Sequence, residues 1–458
     1  MNKTKILYSI FLCTCLMAES GAASLADYAE QSLKNNLEYK AANEALLSKE
    51  AMVKAAFGKW LPHIELRMGM SQTNISLSDE TRLFGRLPLD FNSKSNDPSS
   101  LAAIVAKQKI LDFSAFATLN MAKLEKETAH LFYQMSKQKT LLIVTDTYFQ
   151  TLTAKKSIEA AELYKKLTEE TYQQAIKNAA LNMTTQTQVL RAKAAHQAAV
   201  AKVLQAKQNY QHLLKLLNQI AQIQSKDLKP LKKDILLKLP MPPSKTHWIK
   251  LADKHNFDLK AYQLKLKILK ENLKEISGKH WPKIEAYGGL VDGKNVLSEE
   301  PADFILSAAF NRNHLKYHGA IVGINASMPL FAGGEIGHAE QEKLHAYQQE
   351  ILNFQSFSQQ LALKIDEYYD NLILAQTEMR QADFAVLASL DALQTQKLEL
   401  EAGKITPVHY LETENHFYES LMNQAIVKHK YIKDLVELYY LTGQLDLKII
   451  YKINSWLS

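Results

Sequence analysis

Few residues of this 458-residue chain have the types and spacing that chemistry needs. His314 and His318 stand four apart, a spacing that puts two imidazoles on one helix face for a metal. The polar sequence around them reads as a loop between strands, which argues against a ligand pair. His338 and His345 fall in a long helical run as solvated surface residues. Gly333-Gly334 reads as a turn and not as a nucleotide loop. The chain has no HExxH, no glycine-rich phosphate loop and no GxSxG. The expectation is a protein that is not an enzyme and that holds no cofactor and no metal.

The elements that would carry any function are long helices. Ser114 to Ala180 contains neither glycine nor proline over 67 residues. Those two residues cost about 1 and about 3 kcal/mol in a helix interior, so the run is free to stay helical. At about 1.5 Å per residue it forms a rod on the order of 100 Å, against an average of ~12 residues for a globular helix. A second rod, His338 to Ala402, also lacks both residues. Its apolar residues Phe354, Phe357, Leu361, Ile365, Tyr368, Leu372, Ala375, Met379, Ala382 and Val386 step by three or four, which is one stripe on a helix. On the stripe alone, a long soluble coiled coil is an equal alternative.

Composition narrows the compartment. A formal net charge of +7, with both signs mixed along the helices, gives no nucleic-acid footprint. Residues 1–23 read as a signal peptide: Lys3 and Lys5, an apolar stretch from Ile6 to Met17, then Ser20, Gly21, Ala22 and Ala23. Cys13 and Cys15 lie inside it, and the residues preceding them do not suit a lipoprotein signal, so the mature chain has no thiol. No other stretch approaches ~18 apolar residues, so only a closed β-barrel could cross a membrane.

The chain then runs through one programme twice. A helix over 24–57 leads through Gly58 and Pro62 into a strand at 61–76, with Ile64, Leu66, Met68 and Met70 alternating with polar residues. A polar, turn-rich segment over 76–100 precedes a second strand at about 101–113. The first rod follows, then a shorter helix over 185–220 with Ala192, Ala195, Ala199, Val203, Ala206, Tyr210, Leu213 and Leu217 on one face. Residues 221–246 hold four prolines and six lysines and read as a linker. A shift of 220 then aligns Asn36 with Asn256, Gly58 with Gly278, Pro62 with Pro282 and Glu65 with Glu285, ten identities in thirty ungapped positions. Strands recur at 281–290 and 317–331, and a shorter helix at 407–441 ends at Gly443 as C-cap. The domains are thus 1–23 signal, 24–220 first repeat, 221–246 linker, 247–443 second repeat and 444–458 tail. In each half the two shorter helices sum to the length of the rod, so stacked end to end they would flank it.

Four strands cannot close a barrel, since the smallest membrane barrels have about 8. The chain must oligomerise to form one, with Val322, Ile324, Ala326 and Met328 facing lipid, or its strands pack as an ordinary amphipathic sheet on the helices.

These residues resemble the TolC family of outer-membrane efflux and secretion channels over roughly 24–443. The turn Pro329-Leu330-Phe331-Ala332-Gly333-Gly334 is similar to the family's passage from barrel to tunnel, with Ile110-Leu111-Asp112-Phe113 as its degenerate first-half counterpart. Gly403, Thr406 and Leu411 match the family spacing of glycine, threonine and leucine at the turn between long and short helix, and Asn182, Thr185 and Leu190 repeat it. The resemblance implies a mainly α fold: duplicated long helical hairpins forming a periplasmic tunnel. Four strands per chain would contribute to a trimeric twelve-stranded barrel in the outer membrane of a Gram-negative bacterium. It implies a passive exit duct for a tripartite efflux or type I secretion system, a homotrimer in outer-membrane lipid. Its partners would be a periplasmic adaptor and an inner-membrane pump of RND, ABC or MFS type. A structural periplasmic coiled coil without channel activity is the alternative.

Under that resemblance the segments 77–99 and 291–316 lie outside the cell, and the turns near 182 and 403 at the far periplasmic end. Asn182, Thr185, Gly403 and Thr406 are then the helix-turn tips for adaptor contact. Pro62, Pro282, Pro329, Gly333 and Gly334 are the joints between strands and helices. The family often carries aspartate six and sometimes nine residues after the turn glycine. Here those positions are Gln188 and His409, then Arg191 and Glu412. These four residues are the gate candidates, with Glu412–Arg191 pairs holding the tip shut and His409 adding pH sensitivity.

Overall fold

The computed structural model describes residues 22–83, 87–232, 244–294 and 316–458. Residues 1–21 of the signal peptide read over 1–23 lie outside the described residues, as do both cysteines. The order is α1 (Leu25–Asn35), α2 (Leu37–Gly58), β1 (His63–Leu83), β2 (Leu87–Leu111), α3 (Phe113–Ala180), α4 (Gln186–Ala221), α5 (Lys245–His255), α6 (Phe257–Ser277), a 3-10 turn (Gly278–His280), β3 (Lys283–Lys294), β4 (Lys316–Ser327), α7 (Glu335–Glu401), α8 (Pro407–Leu441) and α9 (Leu447–Asn454). No helix among the described residues is long and apolar enough to cross a membrane.

The chain divides into two compact units. One comprises residues 45–130 and 262–354 and contains the whole sheet. Its strands pair antiparallel in the order β1-β2-β3-β4, so β1 and β4 each keep one side unpaired within the chain. Directly paired residues of an antiparallel ladder share a face. The register pairs Leu66 with Ile104, Ile104 with Leu290, Leu290 with Ala320, and Gly288 with Val322. Ile64, Leu66, Met68, Met70, Ile104, Leu290, Val322 and Ile324 therefore form one apolar face, and it is open: Met70 is 91% and Val322 86% exposed. Glu65, Lys107, Tyr287 and Asn325 occupy the other face.

β1 and β2 are longer than the alternation alone implied, while β4 stops at Ser327, short of the expected 331 and of Met328. The segment 76–100, read as a loop, is instead a β1–β2 hairpin whose ladder runs out to Leu83 and Leu87. A polar composition cannot distinguish a loop from a ribbon with no buried face. Among the described residues β3 pairs with β2 from Leu111 to Ser100. In the same unit Lys49 pairs with Glu125 at 2.7 Å and Lys126 with Glu50 at 3.1 Å, holding α2 on the start of α3. Asn120 donates to Glu271 at 3.2 Å, joining α3 to α6.

The other unit comprises residues 1–44, 131–261 and 355–458. The helix read over 24–57 is two helices, because Asn36 ends one and begins the next. Its N–H closes on Ser32 O at 2.8 Å, and its side chain accepts from Tyr39 N at 3.0 Å. Asn256 repeats this, its N–H reaching Ala252 O at 2.8 Å and its Oδ1 taking Leu259 N at 2.8 Å. The helix read over 247–278 is accordingly α5 and α6. Asparagine bonds locally to backbone as readily as a turn does, which opposes helix continuation.

The stripe on α7 points inward as its spacing requires: Leu361, Ile365, Leu372, Ala375 and Ala382 are buried. Ala192, Ala199, Val203, Ala206 and Leu217 of α4 are likewise buried. The C-terminal stretch is not a free tail. Asn454 takes the N–H of Ala26 at 3.1 Å, Tyr451 donates to Glu30 at 2.8 Å, and Leu457 bridges to Leu231.

Gly443 follows α8 with φ +68, and a Cβ there would sit 2.3 Å from His255 O. Gly333 has φ +60 with nothing within 4 Å of a Cβ. Left-handed backbone costs an L residue about 1–2 kcal/mol. Gly333→Ala should lose that and no more. Gly443→Ala should lose distinctly more, because carbonyl and Cβ cannot share the space. Thermal unfolding midpoints of the two variants check the order.

Candidate functional site

Two places concentrate the residues singled out from the sequence: the paired helix turns in one unit and the strand-helix joints in the other.

The turns are the same structure built twice. α3 closes with Met183 N on Asn178 O at 2.8 Å and Asn182 N on Ala179 O at 3.0 Å. α7 closes with Lys404 N on Glu399 O at 2.9 Å and Gly403 N on Leu400 O at 3.1 Å. This double closure needs a left-handed residue, supplied by Asn182 at φ +54 and Gly403 at φ +71. Thr185 then caps α4 by accepting from Gln188 N, and Thr406 caps α8 by accepting from His409 N, each at 3.4 Å. Pro407 sits at the first position of α8, where a missing N–H costs nothing.

Beneath the turns the ends of α3 and α7 and the starts of α4 and α8 share a core. Ala175, Val189, Ala192 and Leu411 form one cluster. Leu393, Leu400, Tyr410 and Phe417 form a second. Alanines at the contacts let α4 lie close to its neighbours.

The four gate candidates lie on the first turns of α4 and α8. His409 Nδ1 is 3.5 Å from Glu412 Oε2, and both side chains are more than half exposed. Gln188 takes a hydrogen bond from the Thr184 hydroxyl. Among the described residues Arg191 makes no ion pair within the chain.

Glu414 was not anticipated. It stands two residues past Glu412 and is fully buried. Thr171 Oγ1 of α3 donates to its Oε1 at 2.7 Å, while its Oε2 has no partner. Burial pushes its carboxyl up to about 7, the Thr171 hydrogen bond opposes this, and the charge of Glu170 adds to it. The apolar spacing of α8 around it was the available signal, since a glutamate on a buried stripe is rare.

At the joints, α2 ends at Gly58 and Pro62 immediately precedes β1. Pro282 stands between the 3-10 turn and β3. Pro329 follows β4, and Gly333 and Gly334, with φ +60 and +82, lead into α7. The joints are lined with aromatics, of which the sequence singled out Phe113 but not Trp60, Phe116 or Trp281. Trp60 packs on Phe116 at 4.2 Å and Phe113 on Trp281 at 5.6 Å between ring centroids, and Leu330 is 93% exposed. His318 lies in β4 opposite Asp292, in a strand and not in the loop expected, while His314 lies outside the described residues. No group of metal-ligating side chains occurs among the described residues.

The model of the family described as outer membrane efflux protein matches residues 28–221 and 248–444. The outer membrane protein TolC of Vibrio cholerae is 22% identical over 448 residues, covering 96% of this chain and 97% of that protein. The alkaline protease secretion protein AprF of Pseudomonas aeruginosa is 22% identical, covering 96% of this chain and 88% of its own length. Among solved structures, the Campylobacter jejuni CmeC outer membrane channel superposes with a TM-score of 0.75 at 16% identity, covering all of this chain and 98% of that one. The open state of the Neisseria gonorrhoeae MtrE channel gives 0.70 at 17% identity, covering 92% and 89%.

The two caps give a direct test of the turns. Thr185→Ala and Thr406→Ala should each cost about 1 kcal/mol, felt locally. Asn182→Gly should stabilise its turn by up to about 1 kcal/mol by relieving left-handed strain. Amide hydrogen exchange in the first turns of α4 and α8 should rise in the threonine variants and fall near residue 182 in the glycine variant.

Proposed function

From the premise that the chain belongs to the outer membrane efflux protein family, we propose that it works as a homotrimeric exit duct, closed at its periplasmic tip by contacts between neighbouring copies. Family membership makes it an outer-membrane channel of the efflux and secretion class, reaching into the periplasm and carrying out no enzymatic chemistry. The trimer, the partners and the gate are the proposal.

One observation carries it. The sheet has an apolar face open to its surroundings and two unpaired edges, β1 and β4. In lipid every strand edge must be paired, so the barrel closes only between chains. With four strands alternating in direction, β4 of one copy meets β1 of the next antiparallel, and three copies supply twelve strands, enough to close a barrel. A coiled coil with a purely structural role has no use for this face.

Asn182, Thr185, Gly403 and Thr406 at the turns are the proposed contacts for a periplasmic adaptor, and through it an inner-membrane pump of RND, ABC or MFS type. AprF is named for protease secretion and CmeC for an outer membrane channel. The sites of this chain favour neither a small-molecule nor a protein cargo. Residues 1–23 are proposed as the cleaved signal.

Arg191 has no ion pair within its own chain among the described residues, and Glu412 has only His409. The proposed gate pairs Arg191 of one copy with Glu412 of its neighbour, with Gln188 and His409 bonding beside them. Exposed pairs contribute about 0–1 kcal/mol each, so closure needs all three copies at once.

The assembly is tested by light scattering of the detergent-solubilised protein, which should give a particle of three chains; a monodisperse single chain refutes it. The gate is tested in planar bilayers. Glu412→Ala and Arg191→Ala should each raise resting conductance, and the double variant should add little to either. Unchanged conductance in both single variants places the constriction elsewhere.

A further inference from the structure

The charged gate candidates are exposed, yet the most unusual ionisable group near the turns lies inside the helix core. Glu414 of α8 has no exposed surface. Its Oε1 accepts one hydrogen bond, from Thr171 Oγ1 of α3 at 2.7 Å, and its Oε2 accepts none. A neutral carboxyl is tolerated in such a place, whereas a carboxylate requires a counter-charge.

The surrounding groups compensate a charge there only in part. Glu170 of α3 carries the same sign. Lys397 of α7 is the cation that favours the charged form, and it stands 3.6 Å from Glu170. Tyr164 of α3 and Tyr410 of α8 are held protonated by burial first and by the charge of Glu414 second. On α4, Lys202 is held over the rings of Tyr164 and Tyr418 at 4.8 and 4.4 Å and bonds Asn415 at 3.2 Å. Among the described residues the one hydrogen bond to Glu414 comes from α3.

We propose that Glu414 is a proton-binding latch in the core behind the helix turns: with its proton it lets the start of α8 close on α3, and without it this stretch of α8 loosens. The sign follows from burial. The folded carboxyl is pushed up to about 7 from an ordinary 4.5, so its ionisation opposes packing. Tight packing is fully present below pH 4.5, is lost progressively as pH rises to about 7, and falls no further above that. This device is independent of the Arg191–Glu412 gate and of channel activity, because it concerns packing within one chain.

The test is amide hydrogen exchange of the purified full-length protein, read at the start of α8 and around Thr171. The wild type is compared with Glu414→Gln, which imitates the protonated group. Taking the ratio at each pH cancels the intrinsic pH dependence of exchange and any contribution from His409, which both proteins retain. The wild-type to Gln ratio should be near one at pH 4.5, climb by up to about tenfold per pH unit, and level off near pH 7. A ratio that stays flat overturns the latch. Thr171→Val removes a donor that favours the charged form, so its plateau should begin at a higher pH than that of the wild type. This second comparison decides the matter if the Gln variant does not fold, and an unmoved plateau then overturns the proposal.

Discussion

A bilayer offers no hydrogen bonds, so a strand placed in it must find partners on both sides along its whole length. β2 and β3 satisfy this within the chain, and β1 and β4 do not. Most other features of the sheet follow from that asymmetry. In the proposed barrel the apolar face meets lipid, and the opposite face carries Glu65, Lys107, Glu285 and Asn325. An isolated copy would present two sticky edges and an open apolar face, a combination that soluble proteins avoid. Under the proposed trimer, assembly would be part of folding for this half of the molecule.

The helical unit solves a different problem, which is to keep long helices side by side without a wide core. Alanines along α4 allow close approach, and the ends are finished by local bonds that need no partner from afar. The two halves have drifted far in sequence, yet the Thr185 and Thr406 caps share their backbone angles within a degree. Asn182 and Gly403 differ in chemistry but both reach the left-handed region. What duplication has retained here is conformation, with whichever side chain can adopt it.

Much of this was legible in the sequence because the signals were local and periodic. Runs free of glycine and proline set the limits of α3 and α7 to within a few residues, and the spacing of Gly403, Thr406 and Leu411 marks the second turn. The breaks at Asn36 and Asn256 were missed, although the repeat aligned those two residues. A capping asparagine looks like any polar residue on a helix surface until its partner N–H is known. The outer β1–β2 hairpin was missed because its polar, turn-rich sequence has no apolar alternation to read. Glu414 was missed for a third reason. The apolar stripe of α8 has tolerance for one exception, and only packing shows that the exception is inside.

The helix turns are assembled from small terms. Each threonine cap contributes about 1 kcal/mol, and each exposed ion pair about 0–1 kcal/mol. Left-handed strain at Asn182 subtracts from this, and a buried acid without a counter-charge subtracts further. Among the described residues no large aromatic cluster or buried ion pair compensates at the first turn of α4, where Leu190 and Arg191 are exposed and Gln188 is half-buried. A region built this way lies at the low end of the range of local stabilities, which is where elements that must move are found. The sheet cannot serve that purpose, since every hydrogen bond it gives up in lipid goes unreplaced. In the proposed duct the helix turns are the place to open, and the proposed latch at the buried carboxyl behind them lets a single proton change how firmly they are held.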